Sequence, residues 1–283
     1  MNQQGYIGRK MRVPKLHDQP AIVITVFGSN SRARVALEFF REKFALEFPE
    51  KKLYWAYTSE IIRKKVGLPS LQETLAQVEA DGYRKAVVQP LHVFPGTEYQ
   101  QVTETCAFFP GLRIFLGETL LHRWDFVRET LAVLEQDFLP HDKGLNLLAL
   151  HGTPLAADPV NVVYLGLERL VLDLYSNVLA ASVEGLPDQE AVLARIKRKG
   201  LNERFDRVRI IPLMFFAGMH VEDDLMGECG SWRETLTAMG FTVECSMVDC
   251  GERAAFKGLA YYPEILSFFL ERLRRALTLA QYF

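Results

Sequence analysis

Two imidazoles and a carboxylate, His151, His220 and Glu184, each stand where an apolar run gives way to a turn in the second half of the sequence. His220 is the most telling of the three. The β-branched run Val208 to Leu213 reads as a buried parallel strand, and the Gly-containing turn Phe216-Ala-Gly-Met-His220 lifts the imidazole clear of it. His151 follows the run Leu145 to Leu150, and Glu184 follows Asn177 to Val183. Two imidazoles with one carboxylate suit a borderline divalent ion such as cobalt, nickel, iron or zinc. Three protein ligands also leave coordination positions open. Any one of these residues alone reads equally well as a satisfied turn residue. Three strand ends on one edge of one sheet are where open α/β folds place their ligands.

The elements that must position them repeat as strand, turn, helix. In the first half the pattern predicts strands at Ala21 to Phe27, Leu53 to Tyr57, Lys85 to Val93 and Leu112 to Leu116. Helices are expected at Arg32 to Phe48, with Val35, Phe39, Phe40 and Phe44 inward, and at Glu60 to Val66, Ser70 to Asp81 and Leu121 to Leu139. Pro140-His-Asp-Lys-Gly144 is a turn-forming boundary, dividing an arm (1–19) and a first lobe (20–141) from a second lobe (142–283). The order then restarts. Helices are expected at Asn161 to Leu174, Gln189 to Lys199, Val221 to Met239 and Pro263 to Ala280, with a last strand at Thr242 to Val248. The fold class is therefore α/β, two similar Rossmann-like lobes with mainly parallel sheets and a cleft between them.

Spacing supports a duplication. Glu98 stands 70 positions beyond Gly28, and His220 stands 68 beyond Gly152. Phe94-Pro-Gly-Thr-Glu98 also lies over Phe216-Ala-Gly-Met-His220. Glu98 thus becomes the counterpart of His220, facing it across the cleft, where in isolation it would only complement a helix macrodipole. Arg32, at the start of a helix aimed at the site, is the basic group suited to a carboxylate of the ligand. Phe94, Met214 and Phe216 are candidate apolar contacts, with core packing the competing role. His92, inside a strand run, reads as packed, and His17, His122 and His141 as surface or helix residues.

Composition narrows the class. The 283 residues are 49% hydrophobic and 24% charged with a formal net charge of -2, an ordinary globular balance without the basic footprint of nucleic-acid binding. No P-loop lysine, no G-x-G-x-x-G and no G-x-S-x-G is present, so neither nucleotide nor hydrolase chemistry is expected. His151-Gly152-Thr153 lacks the neighbouring arginine of histidine phosphatases, since position 150 is Leu. Cys106, Cys229, Cys245 and Cys250 form no C-x-x-C pair, and no apolar run approaches membrane length. A cytoplasmic chain with reduced thiols, no membrane and no nucleic acid is the expectation, and a homo-oligomer stays open.

Several segments together resemble the sirohydrochlorin cobaltochelatases, within the tetrapyrrole chelatase group that includes ferrochelatases. They are Trp55-Ala-Tyr-Thr-Ser59, Ile61-Ile-Arg-Lys-Lys65, Gln89-Pro-Leu-His-Val93 and Gly96-Thr-Glu-Tyr99. In the second half they are His151-Gly-Thr153, Val183-Glu-Gly-Leu-Pro187, and Ala217-Gly-Met-His220 with Asp224 and Gly227. Pro154-Leu-Ala-Ala-Asp158 departs from the polar stretch expected there. The resemblance implies a metal-chelating lyase of cobalamin biosynthesis, inserting Co2+ into sirohydrochlorin or a related tetrapyrrole without ATP. The ion is substrate, and no nucleotide is implied. Family metal-site histidines map onto His151 and His220, and strand-end glutamates onto Glu184 and Glu98. Metallation expels two pyrrole protons, and imidazole is the side chain whose ordinary range suits a base near neutrality. His151 and His220 would hold the ion and accept protons, Glu184 complete the shell, and Glu98 orient the ring or relay protons. Iron or nickel insertion, or a non-catalytic metal or tetrapyrrole carrier, are the alternatives.

Overall fold

The computed structural model describes residues 16–28, 34–249 and 254–283. In the first half come β1 (Ala21–Val26), α1 (Arg34–Glu47), β2 (Leu53–Tyr57), α2 (Glu60–Val66), α3 (Leu71–Ala80), β3 (Lys85–Pro90), α4 (Thr97–Phe108), β4 (Arg113–Leu116) and α5 (Trp124–Leu134). The second half begins with β5 (Leu145–Gly152), α6 (Asn161–Leu174), β6 (Val178–Glu184), α7 (Gln189–Arg198), α8 (Leu201–Arg204) and β7 (Arg207–Pro212). A π-helical turn (His220–Leu225), α9 (Trp232–Ala238), β8 (Thr242–Cys245), β9 (Met247–Asp249), β10 (Ala254–Phe256) and α10 (Pro263–Tyr282) complete it. No helix among the described residues is long and apolar enough to cross a membrane.

Two parallel four-stranded sheets result, ordered β2-β1-β3-β4 and β6-β5-β7-β8, so each half repeats one winding. All residues of β1 are buried, as a central parallel strand requires. Its side chains alternate: Ala21 and Val23 pack with Leu75 and Val78 of α3, whereas Ile22, Ile24 and Val26 face the other way. That second face enters one apolar cluster shared by the two halves, joining Phe40 and Phe44 of α1 to Leu148 and Leu150 of β5 and Leu167 of α6.

Several expected elements differ for local reasons. Val35 and Phe39, expected inward, are 48% and 44% exposed, because α1 buries Ala36, Leu37, Phe40 and Phe44. Phe39 meets Tyr261 edge-on instead. The single helix expected over Val221 to Met239 is two pieces, broken where Gly230 takes φ +70° and Ser231 caps α9 by accepting from the Glu234 amide. The last strand divides at Ser246, whose amide reaches Ile210 of β7 while its carbonyl accepts from Lys257. The expected strand Lys85 to Val93 ends its ladder at Pro90.

The boundary near residue 140 separates the sheets but not the packing. α10, last in the chain, lies on β3 and β4 of the first half. Lys85 donates to its Ala280 carbonyl, Arg274 pairs with Glu47, and the buried Arg272 donates to the Leu120 carbonyl while lying 3.8 Å from the Phe126 ring centre. The tail of the second half thus caps the first.

His92, just beyond β3, behaves as a packed histidine. Its Nε2 lies 3.3 Å from Thr58 Oγ1, and its Nδ1 is buried without a partner among the described residues. Burial brings the imidazole down to about 4. The folded chain therefore refuses a proton that the unfolded chain accepts below its ordinary value of 6.5. This contribution to stability is complete above that value and is lost as pH falls toward 4. Denaturant titrations should show up to about 1.4 kcal/mol lost per pH unit across that window. His92→Gln should flatten the dependence, and identical slopes in the two proteins would place its origin elsewhere.

Candidate active site

β5 runs two residues further than its apolar run, so His151 lies within the strand and Gly152 pairs with Glu184 of β6. The two turns that follow interlock. Gly152 has φ +81°, and a Cβ there would sit 1.7 Å from the Glu184 carbonyl oxygen. Gly185 has φ +74°, and its Cβ would sit 2.1 Å from the Thr153 carbonyl oxygen. Only glycine satisfies both the left-handed conformation and the contact. The backbone at residues 151 and 184 is thereby fixed on neighbouring strands.

His220 arrives from β7 by a different route. The Leu213 amide continues the ladder onto Ala149, and a strap from the end of the chain binds the next residues, with Leu259 and Ala260 amides donating to Met214 and Phe215 carbonyls. Gly258 lets this strap approach, since a Cβ there would lie 2.7 Å from the Ala217 nitrogen. The π turn then opens with His220, its next two amides donating to the Gly218 carbonyl. The His151 and His220 rings meet edge to face, with centroids 4.7 Å apart and planes at 82°. His151 Nδ1 lies 3.1 Å from the Gly152 carbonyl oxygen, and His220 Nδ1 lies 2.7 Å from Asp224 Oδ2.

Strand register assigns each site residue a counterpart in the other half. Thr25 pairs with Pro90 across β1 and β3, as Ala149 pairs with Pro212 across β5 and β7. Eight residues beyond the two prolines stand Glu98 and His220, the equivalence that spacing predicts. Thr25 likewise pairs with Ala56, and Ala149 with Ala181. By the same count Phe27, Ser59 and Glu98 in the first half occupy the places of His151, Glu184 and His220 in the second.

Glu98 sits in the first turn of α4. The halves touch here, through a 2.6 Å hydrogen bond from Thr97 to Asp158 and a 4.6 Å ring contact of Phe94 with Tyr164. The Tyr164 hydroxyl donates to the Gly152 carbonyl and is pushed well above the ordinary tyrosine range, first by burial and then by the charge of Glu98, with Asp158 and Glu184 adding to it. Carboxylates from both halves thus act on the Tyr164 hydroxyl that donates to the Gly152 carbonyl. Among the described residues no three His, Cys, Asp or Glu side chains form a ready metal cage, so the expected set of His151, Glu184 and His220 is not brought together as three ligands, and the contact shown is that of the two imidazoles.

Of the apolar candidates, Met214 is buried in the core of the second sheet, and Phe94 is buried against Tyr164. Phe216 is partly buried, edge-on to Phe215. Arg32 lies outside the described residues. The sequence reading missed Phe27, 44% exposed at the end of β1. Its signal was present in the text: it precedes Gly28 as His151 precedes Gly152.

The family model for cobalt chelatase (CbiK) matches residues 20–278. The chain belongs to this family. It is 23% identical over 245 residues to the sirohydrochlorin cobaltochelatase of Salmonella typhimurium, covering 83% of this chain and 87% of that protein. It is 25% identical over 273 residues to the sirohydrochlorin cobaltochelatase CbiKC of Nitratidesulfovibrio vulgaris, covering 91% and 90%. Among solved structures it shares its fold with SirB from Bacillus subtilis with Fe3+, at TM-score 0.62 and 16% identity over 92% of this chain and 96% of that one. A cobalt complex of the SirB sirohydrochlorin chelatase from B. subtilis subspecies spizizenii aligns at TM-score 0.57 and 16% identity, with the same coverage.

The interlocked turns make a stability test within this cobalt chelatase fold. Gly152→Ala should cost about 1–3 kcal/mol from backbone conformation alone, and more from the collision with Glu184. A lowered urea midpoint with lost metal insertion is expected, whereas a wild-type midpoint would show that the two turns do not depend on this contact.

Proposed function

We propose that this chain inserts Co2+ into sirohydrochlorin, or a related reduced tetrapyrrole, without ATP, as a cytoplasmic enzyme of cobalamin biosynthesis. Family membership supports the reaction class, and the observation that carries the assignment of residues is the 4.7 Å edge-to-face approach of His151 and His220. The reaction exchanges one divalent ion for two pyrrole N–H protons. The imidazole pair holds the incoming ion and accepts those protons. Glu184, on the adjoining strand, swings in as the third ligand. A shell completed only on arrival holds the ion in place yet surrenders it to four ring nitrogens.

In this reading the first half supplies the surface for the macrocycle. Glu98 orients the ring or relays protons, and exposed Phe27, at the place of His151, gives the ring an apolar face. Iron and nickel share the same ligand preferences, so the decisive assay presents Co2+, Fe2+ and Ni2+ in competition and follows metallation of sirohydrochlorin by absorbance. A carrier would bind the tetrapyrrole without producing the metallated spectrum.

His220→Ala should reduce cobalt insertion by about 100-fold or more with stability changed by less than about 0.5 kcal/mol, because the side chain is 39% exposed. Full activity in that variant would remove the assignment. Phe27→Ala should raise KM for sirohydrochlorin about tenfold, equivalent to roughly 1.4 kcal/mol of lost ring contact, and leave KM for Co2+ unchanged. An unchanged tetrapyrrole KM would take Phe27 out of the binding surface.

A further inference from the structure

The two imidazoles are oriented by partners of different kinds. His151 Nδ1 faces the carbonyl of the next residue, Gly152, a main-chain group that no substitution removes. His220 Nδ1 faces a side chain, Asp224 Oδ2, at 2.7 Å. A carboxylate oxygen accepts, so at that distance the hydrogen is on Nδ1, and in the neutral ring the lone pair is then on Nε2. A carbonyl imposes the same arrangement on His151. Both rings therefore offer Nε2, and they meet at 82°.

The turn that carries His220 is built to keep this contact. His220 and Asp224 lie one turn apart on the π segment, a form of helix concentrated at functional sites. Behind Asp224 the turn closes tightly, with the Gly227 amide donating to the Asp223 carbonyl and room there for no Cβ, which would come within 2.2 Å of that oxygen. Ser231 and Arg233 side chains donate to the Gly227 carbonyl and pin the end. The His220 side chain is 39% exposed, and its orientation is set by the His151 ring contact and the hydrogen bond to Asp224.

We propose that Asp224 is a positioning residue: its carboxylate holds His220, beside His151, in the form with a hydrogen-free Nε2, so that the incoming ion meets two lone-pair nitrogens. This rests on the reading of the imidazole pair as the metal-receiving site. Without the carboxylate the hydrogen moves to Nε2, where it blocks the metal, and the ring keeps only the His151 contact to orient it.

The test uses the full chain labelled with 15N-histidine, without added metal, at pH 9, where imidazole side chains are neutral. Long-range 1H–15N correlation reads which nitrogen of each ring carries hydrogen, with His220→Ala assigning the signals. Expected is hydrogen on Nδ1 of His220 in the native chain and in Asp224→Asn, whose amide oxygen still accepts, and mainly on Nε2 in Asp224→Ala. In steady-state insertion, Asp224→Ala should raise KM for Co2+ about tenfold or more while KM for sirohydrochlorin stays within about twofold, and Asp224→Asn should recover most of the loss. Hydrogen on Nε2 in the native chain overturns the proposal whether or not the variants fold, as does an unchanged Co2+ KM in Asp224→Ala. If His220→Ala is inactive while Asp224→Ala is normal, only the positioning role fails. If His220→Ala is fully active, the metal reading itself fails.

Discussion

The carbonyl of Glu184 and the α-carbon of Gly152 lie so close that no side chain fits between them, and the site depends on that contact. It ties the ends of β5 and β6 together at the level where both leave the sheet. Gly185 returns the same approach onto Thr153. Two motifs separated by some thirty residues are therefore one structural unit, and their glycines are explained by each other. Hydrogen bonds along the ladder set the register, while the missing Cβ atoms set how near the chains come. An imidazole at 151 inherits a fixed origin from this lock.

Beside that locked pair of turns, the other groups of the site are held in different ways. His220 rides on a separate turn, and the carboxylates of Glu184 and Glu98 sit on long side chains that are only partly buried. An enzyme whose metal is cargo has reason to keep the shell unfinished. A fully formed cage would bind the ion for its own sake and retard its release. Duplication sharpens this division. The imidazoles belong to the second half, and the equivalent places in the first carry a phenyl ring, a hydroxyl and a carboxylate.

Much of this was legible in the text of the sequence. β2, α2 and α6 run between the residues that periodicity selects, and the pairing of Glu98 with His220 follows from spacing alone. Apolar patterning also placed the strands that carry His151 and Glu184 and the strand, β7, that leads to His220. What it could not convey was direction and partner. Val35 and Phe39 match a helical stripe as well as Phe40 and Phe44 do, and only the neighbouring elements decide which side is covered. Met214 has the composition of a ligand contact, but the next residues turn away and leave it in the core. The π turn was hidden because a helix period read across Gly227 and Gly230 looks continuous unless those glycines are given their backbone meaning. Phe27 was absorbed into the strand whose end it marks.

α10 has a consequence for how the protein is made. Its buried face, including Phe269, Leu270 and Leu273, covers strands that are synthesised well before it, β3 at Lys85–Pro90 and β4 at Arg113–Leu116. Until α10 has been made, β3 and β4 therefore lack the helix that shields one of their faces. The packing of the first half is completed only by an element of the second, so the two halves mature together rather than in the order of their synthesis.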